Sequence, residues 1–401
     1  MLSRRNLPYI FKKKRLIRIM GIIDFLGGIF FHFRKNRPKK PFKKLLVMRM
    51  DHIGDIVVAE PFLTQYKSSH PFTEIVFLTS QVGKLIFAEL LNGPVSTLSS
   101  IEVFNPPWFK LDYDRKESWL AWKQLIRIIR GIKPDCIIDL RGDLRHITAA
   151  RFGAWSAWVE SYGISGGRFL LNAEVSYAYH AHAARRNLNY LAAPLRMSPQ
   201  ILDKRIASSP LKSSLVSKLK AIESPIIAIH PGAGTPAKQW PIVYWRELTA
   251  WILSETRAHI IWVGDKDADL IREQIMINVA PEDQRRFMNL CADLPIDQLG
   301  SLFEDVDMLI SADSGPVHIG AIHQTKTIVI FSGTAHADEW RPLNPNAQLV
   351  EHEVECSPCS ERRCPKAHHA CMLDLKPKLI IEAVKQSLNS EISHGNNHEQ
   401  S

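Results

Sequence analysis

The sequence predicts an α/β protein with two doubly wound sheets of parallel strands. Short runs of aliphatic and β-branched residues are apolar at successive positions, which indicates strands buried on both faces. Longer segments with helical periodicity, such as residues 118–134, separate these runs, as expected for βαβ units. At 401 residues the chain is longer than one hydrophobic core usually serves, so we expect two domains.

Nine strands are expected along the chain. They are 44–50, 74–80, 100–105, 135–140, 158–164, 224–232, 258–265, 306–313 and 326–333. Residues 195–215 are rich in Ser, Pro and charge and indicate a linker. We therefore predict a first domain over 44–200, a second over 201–385, and a polar, disordered tail over 386–401.

Positive charge is concentrated at the N-terminus. The chain has a net charge of +10, yet residues 1–44 contain 14 Lys and Arg against one acid, Asp24, so the rest of the chain is slightly acidic. A folded body without excess positive charge argues against nucleic acid as a partner.

The apolar patch IMGIIDFLGGIFFHF, residues 19–33, lies between two basic clusters. It is shorter than the ~20 residues of a spanning helix, and no small-residue cleavage site of a secretory signal follows it. Cationic flanks around a short apolar patch favour a segment, residues 1–43, that lies on an anionic membrane surface. The alternative is a disordered basic arm.

Two turns after strands of the second half are candidate anion sites. In the first, Gly232 and Gly234 expose backbone amides, and Lys238 adds a mobile cation that suits a diphosphate. The spacing fits neither a P-loop nor a dinucleotide fingerprint, and an ordinary βα turn would look similar.

The second turn contains Asp313, Ser314 and Gly315 between a strand and a helix. The helix N-terminus favours negative charge. A carboxylate beside such a site makes sense if Asp313 accepts hydrogen bonds from sugar hydroxyls while the amides hold a pyrophosphate. Alternatively, Asp313 caps the helix and His318 is a packed helical residue.

Charged residues also follow two strands of the first half. Asp55 lies at the start of a helix after the first strand, where it could act as a general base or as an N-cap. Arg141 and Arg145 follow the fourth strand, where they could bind an anionic acceptor or be surface charges.

Four cysteines, Cys356, Cys359, Cys364 and Cys371, lie within sixteen residues. Such a group can hold a structural zinc ion, but these spacings fit no standard zinc module. Reduced thiols are the favoured interpretation. Cys136 and Cys291 lie in or beside apolar strands and are expected to be core thiols.

Three blocks, RMDHIGDIVVAEP, IHPGAGTPAKQWP and SADSGPVHIGA, occur in an order that resembles glycosyltransferase family 9. This family comprises the bacterial lipopolysaccharide heptosyltransferases and their relatives. The resemblance extends from about Lys43 to about Val384. It implies the GT-B architecture, in which two Rossmann-like domains with parallel sheets face each other across a cleft. The first domain would bind the acceptor, and the second the nucleotide-diphosphate sugar.

The resemblance also implies residue roles. Asp55 matches the catalytic base, Lys238 the lysine on the donor phosphates, and Asp313 the aspartate on the sugar hydroxyls. Ser314 and Gly315 fall in the diphosphate-binding turn, while the role of the matched histidine is left open. The implied reaction inverts the anomeric centre and needs no metal ion or other cofactor, in agreement with the lack of a DxD-like pair in an obvious donor loop.

The implied acceptor is a lipid-linked saccharide of lipopolysaccharide or a related surface glycan, and the family's default donor is ADP-heptose. The enzyme is then expected to be cytoplasmic, on the inner face of the cytoplasmic membrane. Two alternatives are a catalytically idle GT-B protein that binds sugar nucleotides and a sugar-nucleotide epimerase. The presence of Asp55 and Lys238 argues against the first, and the basic N-terminal segment argues against the second.

Overall fold

The computed structural model divides into two compact units, Met1–Gln200 and Ile201–Ser401. Each unit contains one six-stranded sheet whose neighbouring strands are parallel, which confirms the predicted fold class. The structure describes residues 9, 14–31, 33, 36, 38, 41–91, 96–109, 114–179, 181–191, 202–277, 279–366 and 368–395, with the backbone only over 389–395.

The N-terminal sheet is built around two buried neighbours, β1 and β4. Its strands are β1 Lys44–Met48, β2 Glu74–Thr79, β3 Ser100–Val103, β4 Cys136–Asp139, β5 Trp158–Ser161 and β6 Ala173–Glu174. Their order is β3-β2-β1-β4-β5-β6, so the chain changes direction across the sheet between β1 and β4. In a doubly wound sheet this switch point is where ligands bind.

Seven helices belong to the described part of this unit. They are α1 Lys14–Phe30, α2 Ile53–Val57, α3 Glu60–Ser69, α4 Gln81–Ile86, α5 Arg115–Ile132, α6 Leu144–Gly153 and α7 Ala183–Leu188. Residues of α5 and α6 pack with β1 and β4 in one apolar core that includes Leu46, Leu125, Ile137 and Ile147. Burial of these apolar side chains stabilises the unit.

The C-terminal sheet repeats the same topology. Its strands are β7 Ile226–His230, β8 His259–Trp262, β9 Phe287–Asn289, β10 Met308–Ala312, β11 Thr327–Phe331 and β12 Ala347–Glu351. The order β12-β11-β10-β7-β8-β9 places its switch point between β7 and β10, where Ser311 pairs with His230.

The helices of this unit surround the sheet. They are α8 Ser213–Lys220, α9 Ile242–Glu255, α10 Lys266–Met276, α11 Pro281–Gln284, α12 Leu299–Glu304, α13 Gly315–Ile322, α14 Ala337–Trp340, α15 Ala370–Leu373 and α16 Pro377–Gly395. The core includes Trp245 and Trp262, whose rings meet edge to face with centroids 6.3 Å apart.

Two expectations need correction. The first part of the predicted linker, 195–201, lies outside the described residues. From Leu202 onward the segment is not a free linker, because it packs on the C-terminal unit. Gly300 N, for example, donates to Ala207 O. The predicted disordered tail is helical as far as Gly395, because Leu388 continues the apolar face of α16 onto the core. The rest of the tail, 396–401, lies outside the described residues.

In the N-terminal segment, residues 14–30 form the helix α1, which argues against the alternative of a disordered basic arm over these residues. The helix contacts the 3-10 helix Arg168–Leu170 of the same unit. Among the described residues, no helix has both the length and the hydropathy needed to cross a membrane.

Candidate functional site

Asp55 lies at the switch point of the N-terminal sheet, just after β1. The helix α2 begins at Ile53, and its N-cap is His52, so Asp55 occupies the first helical turn and is not the N-cap. Its carboxylate accepts a hydrogen bond from Arg49 Nη2. The side chain of Asp55 is 14% exposed.

Asp51 connects this carboxylate to the end of β4. Its side chain is fully buried; Oδ1 lies 2.8 Å from Arg49 Nε, and Oδ2 pairs with Arg141 Nη1. Asp55, Arg49, Asp51 and Arg141 therefore form one chain of alternating charge across the switch point. Sequence reasoning missed Arg49 and Asp51, although the charged residues of RMD directly after an apolar strand were a usable signal.

Electrostatics keep Asp55 ionised. Burial alone would raise the pKa of Asp55, but the positive charges of Arg49 and Arg141 outweigh burial and lower it. Burial likewise opposes the charge of Arg141, yet Asp51 and Asp55 raise its pKa. At neutral pH Asp55 is thus an ionised carboxylate, which is the form that can accept a proton.

The structure does not bring Arg145 into this network. Its Nε and Nη2 donate to the two oxygens of Asp143 at 2.9 and 2.6 Å, and Asp143 also caps α6. Arg141 and Arg145 stack over Phe109 and Trp108, respectively, at 4.3 and 4.9 Å from the ring centroids. Arg145 remains 40% exposed, so part of its guanidinium is accessible.

The C-terminal switch point brings Lys238 and Asp313 together. Lys238 ends a 3-10 helix after β7, Asp313 follows β10, and Nζ lies 2.7 Å from Oδ2. The N-cap of α13 is Ser314, so Asp313 is not the N-cap of that helix. Lys238 keeps 27% of its side-chain exposure, whereas Asp313 keeps 4%.

His230, which the sequence analysis did not single out, lies at the end of β7 and contacts Ser311 and Ser314 beside the pair of Lys238 and Asp313. Its Nδ1 lies 3.2 Å from Ser314 Oγ and 3.3 Å from Ser311 Oγ. Burial lowers the pKa of His230 to about 4, so the imidazole is neutral at pH 7. A Cβ at Gly232 would lie 3.1 Å from this ring, so the glycine lets the turn pack closely. The signal in the sequence was the polar residue at the end of an otherwise apolar strand.

The remaining residues of the predicted donor site divide into open and packed positions. A Cβ at Gly234 would meet nothing within 4 Å, so the backbone there is open to a ligand. Gly315 is the first residue of α13, where its amide belongs to the helix N-terminus. His318 lies on the same helix and is 6% exposed, which agrees with a packed helical residue.

The cysteine-rich segment supports the Lys238 turn. Ala237 N donates to Arg362 O at 3.1 Å, and His369 Nε2 lies 3.0 Å from Ala237 O. The four cysteines line one cavity of about 170 Å³; they are the exposed Cys356, the half-buried Cys359 and Cys364, and the buried Cys371. Across the described ranges, no three His, Cys, Asp or Glu residues are grouped so that they could hold a metal ion. Cys136 and Cys291 are buried, as expected for core thiols.

Comparison with known proteins identifies the family. The model of glycosyltransferase family 9 (heptosyltransferase) matches residues 122–370, which is more than half of the chain. The chain belongs to glycosyltransferase family 9. Its relatives in this family include the lipooligosaccharide heptosyltransferases 2 of Campylobacter jejuni, 32% identical over 169 residues, and Haemophilus ducreyi, 30% identical over 182 residues. These matches cover 41% and 44% of the chain and 51% and 52% of the relatives, so the chain spans about half the length of the curated relatives it matches.

Solved structures of a heptosyltransferase and of a family 9 protein share the fold. The Escherichia coli ADP-heptose lipopolysaccharide heptosyltransferase II gives a TM-score of 0.66 at 17% identity, over 87% of this chain and 99% of that one. A family 9 protein from Veillonella parvula gives 0.70 at 15% identity, over 88% and 100%. The predicted GT-B fold with two Rossmann-like domains is confirmed.

Proposed function

We propose that this family 9 protein transfers a sugar, by family default heptose from ADP-heptose, to a lipid-linked saccharide of lipopolysaccharide or a related surface glycan. The observation that carries the proposal is the pair of Lys238 and Asp313 at the switch point of the C-terminal sheet. A cation for a diphosphate and an acceptor for sugar hydroxyls are what a nucleotide-sugar donor requires. The names of the Campylobacter and Haemophilus relatives support the same activity.

In the proposed donor site, backbone amides at the start of α13 and the ammonium of Lys238 neutralise the diphosphate. Ser314 and Gly315 belong to this helix N-terminus, and the open backbone at Gly234 allows close approach of the donor. These groups also stabilise the charge that develops on the leaving nucleoside diphosphate, which can supply several kcal/mol. Because they take the role that a divalent cation has in other transferases, we propose a metal-independent reaction, tested by activity in the presence of a chelator.

In the proposed acceptor site, Asp55 removes the proton from the attacking hydroxyl. The hydroxyl oxygen forms a bond to the anomeric carbon while the bond from that carbon to the diphosphate oxygen breaks. Direct displacement inverts the anomeric centre, and the proton stays on Asp55 until it passes to solvent. Arg141, and the accessible edge of Arg145, bind anionic groups of the acceptor.

A lipid-linked acceptor places the protein at the inner face of the cytoplasmic membrane. The basic segment 1–44 is proposed to hold it there, since each basic residue near anionic headgroups contributes about 1 kcal/mol. Attachment of the enzyme to the surface that carries its acceptor raises the effective concentration of both.

The substitution Asp55→Ala tests the mechanism. We expect donor affinity to stay within about twofold, because Asp55 belongs to the other unit from Lys238, while turnover falls by about 10²-fold or more. Asp114→Ala, which removes an exposed carboxylate that caps α5, is the matched control. Full turnover in the Asp55 variant would remove the assigned base.

A thermal-shift screen of sugar nucleotides tests the donor. Stabilisation by ADP-heptose, with little effect of UDP- or GDP-sugars, is expected. Binding without transfer to any lipid-linked saccharide would favour the idle binding protein, and isomerisation of the donor without an acceptor would favour an epimerase.

A further inference from the structure

Helix α1 has one face that contacts the body and a wide apolar face that does not. Met20 and Gly27 are buried against the turn 166–170, and Asp24 lies between them on the same face. The exposed apolar residues of the helix are Leu16, Ile19, Ile22, Ile23, Phe25, Leu26, Ile29 and Phe30. An exposed apolar face of this size indicates a binding surface.

Asp24 fixes the orientation of this helix. Its Oδ1 accepts hydrogen bonds from the amides of Gly167 and Arg168 at 2.8 and 3.0 Å, and its Oδ2 accepts one from Tyr9 Oη at 2.7 Å. Gly27 allows the contact, because a Cβ there would lie 2.4 Å from the ring of Phe169. The one acid of the basic segment thus holds α1 against the body with its apolar face outward.

Aromatic residues of the body continue the exposed face beyond the end of α1. The ring of Phe31 meets that of Trp155 at 6.2 Å, and Trp155 meets Phe152 at 6.2 Å. Trp155 is 52% exposed and Phe152 48% exposed. Arg130 Nη2 donates to Phe152 O at 3.3 Å, so a cation lies beside the aromatic groups.

We propose that the exposed face of α1 together with Phe31, Phe152 and Trp155, called here the interfacial surface, inserts into the headgroup region of an anionic lipid bilayer. The proposal deepens the membrane association stated above by assigning it to a preformed surface that includes the body, rather than to a tethered arm. Exposed Lys14, Arg15 and Arg18 lie at the start of α1, and aromatic rings with nearby cations suit the membrane interface.

The charge distribution favours a bilayer over a second copy of the chain. Each chain has 14 Lys and Arg and one acid in residues 1–44, so a dimer through this surface would join two chains whose N-terminal segments have the same sign of charge. Like charges repel each other, whereas anionic headgroups attract the basic residues.

The first test is sedimentation of the full chain with vesicles of phosphatidylcholine alone or mixed with phosphatidylglycerol. The chain is expected to bind the anionic vesicles preferentially, and both Phe25→Ser/Phe30→Ser and Phe152→Ser/Trp155→Ser weaken partitioning by about tenfold or more. Phe72→Ser, which alters a 98% exposed phenylalanine outside the surface, is the matched control and leaves partitioning unchanged.

Asp24→Asn gives a second test, because a flexible basic arm and a docked helix α1 predict opposite changes in affinity for anionic vesicles. The substitution adds net positive charge, so a flexible basic arm would bind anionic vesicles more tightly. If α1 must be held in its docked orientation, the variant binds more weakly, because a neutral amide accepts the hydrogen bonds of Gly167 and Arg168 less strongly than a carboxylate. Near-UV circular dichroism checks that the body stays folded.

Three results would overturn the proposal: no preference of the wild-type chain for anionic vesicles, wild-type binding by the Phe152/Trp155 variant, or tighter binding by the Asp24 variant. A concentration-dependent dimer that is lost in the Phe25/Phe30 variant would instead assign the surface to a second copy. Transfer to a delipidated, soluble acceptor separates these failures from failure of the proposed function, since that activity does not depend on the interfacial surface.

Discussion

Lys238 Nζ lies 2.7 Å from Asp313 Oδ2, so the loop after β7 and the loop after β10 are joined by an ion pair at the switch point of their sheet. The side chain of Asp313 is almost fully buried, and the ammonium of Lys238 compensates the negative charge of its carboxylate. A diphosphate that binds here competes with Asp313 for the ammonium. The two residues should consequently respond in different ways to ligands with and without a sugar.

For Lys238→Ala we expect affinity for the nucleotide sugar and for the free nucleoside diphosphate to fall alike, by about 10- to 100-fold, which corresponds to the about 1.5–3 kcal/mol of a charged hydrogen bond. Isothermal titration calorimetry measures both. Lys218→Ala, at an exposed position on α8, is the control. An unchanged affinity for the nucleoside diphosphate would place the phosphates elsewhere.

For Asp313→Asn we expect the opposite pattern. Removal of the carboxylate frees Lys238, so affinity for the nucleoside diphosphate is retained or increased, whereas affinity for the nucleotide sugar falls by about tenfold because hydroxyl contacts weaken. The same calorimetric titrations decide it. Equal losses for both ligands would contradict the assignment of Asp313 to the sugar.

The interior of the fold could be predicted from the sequence because its strands are apolar on both faces. Three of the four edge strands were missed: β6, β9 and β12 read AE, FMN and AQLVE, and edge strands need no continuous apolar run. The turn motifs likewise indicated Asp55 and Lys238. The connection from Asp55 through Arg49 and Asp51 to Arg141 could not be read from spacing, because it depends on the pairing of β1 with β4.

The charge network predicts how Arg49 controls the pH dependence of activity. Arg49 lowers the pKa of Asp55, so Arg49→Met should raise that pKa and move the acid limb of the kcat/KM profile to higher pH. Arg127→Met, on an exposed face of α5, should leave the limb in place. A limb unchanged in the Arg49 variant would mean that Asp55 is not the titrating base.

Stability follows the same linkage. A lowered folded-state pKa of Asp55 stabilises the protein above the pKa of the unfolded chain, and this contribution is lost as pH falls through the folded-state pKa. Breaking the buried pair with Arg49→Met should cost about 3–5 kcal/mol at pH 7. In denaturant titrations, the difference in the free energy of unfolding between Arg49→Met and wild type should be smaller below about pH 4. Arg141→Met, at a half-buried position, is a milder variant if the first unfolds.

The cysteines should differ in reactivity if they are reduced thiols without a metal. Cys356 is exposed, whereas Cys371 is buried, and burial raises the pKa of its thiol. Alkylation of the native protein, followed by mass spectrometry, should modify Cys356 first and Cys371 last. Buried Cys291, whose pKa burial raises to about 12, serves as a protected control. A metal site would be established instead by two results together. All four cysteines would be protected from alkylation until a chelator or Cys359→Ser released them, and the purified protein would contain a stoichiometric metal ion.

His230 should remain neutral well below pH 6. Burial lowers its pKa from the usual 6.5 to about 4, and Asp265 only partly opposes this shift. Between these values the unfolded chain binds a proton that the folded chain does not, so stability is full above about pH 6.5 and is lost as pH falls toward 4. Nitrogen-detected NMR titration of the imidazole, assigned with His230→Gln, measures the pKa of His230 directly.

The substitution Asp265→Asn should lower the pKa of His230 further. The new asparagine still caps α10, since Asn also serves as an N-cap. His352→Gln, at a half-exposed surface position, is the control. A measured pKa near 6.5 for His230 would mean that the imidazole is hydrated, and the neutral support assigned to Ser314 and Gly232 would then be wrong.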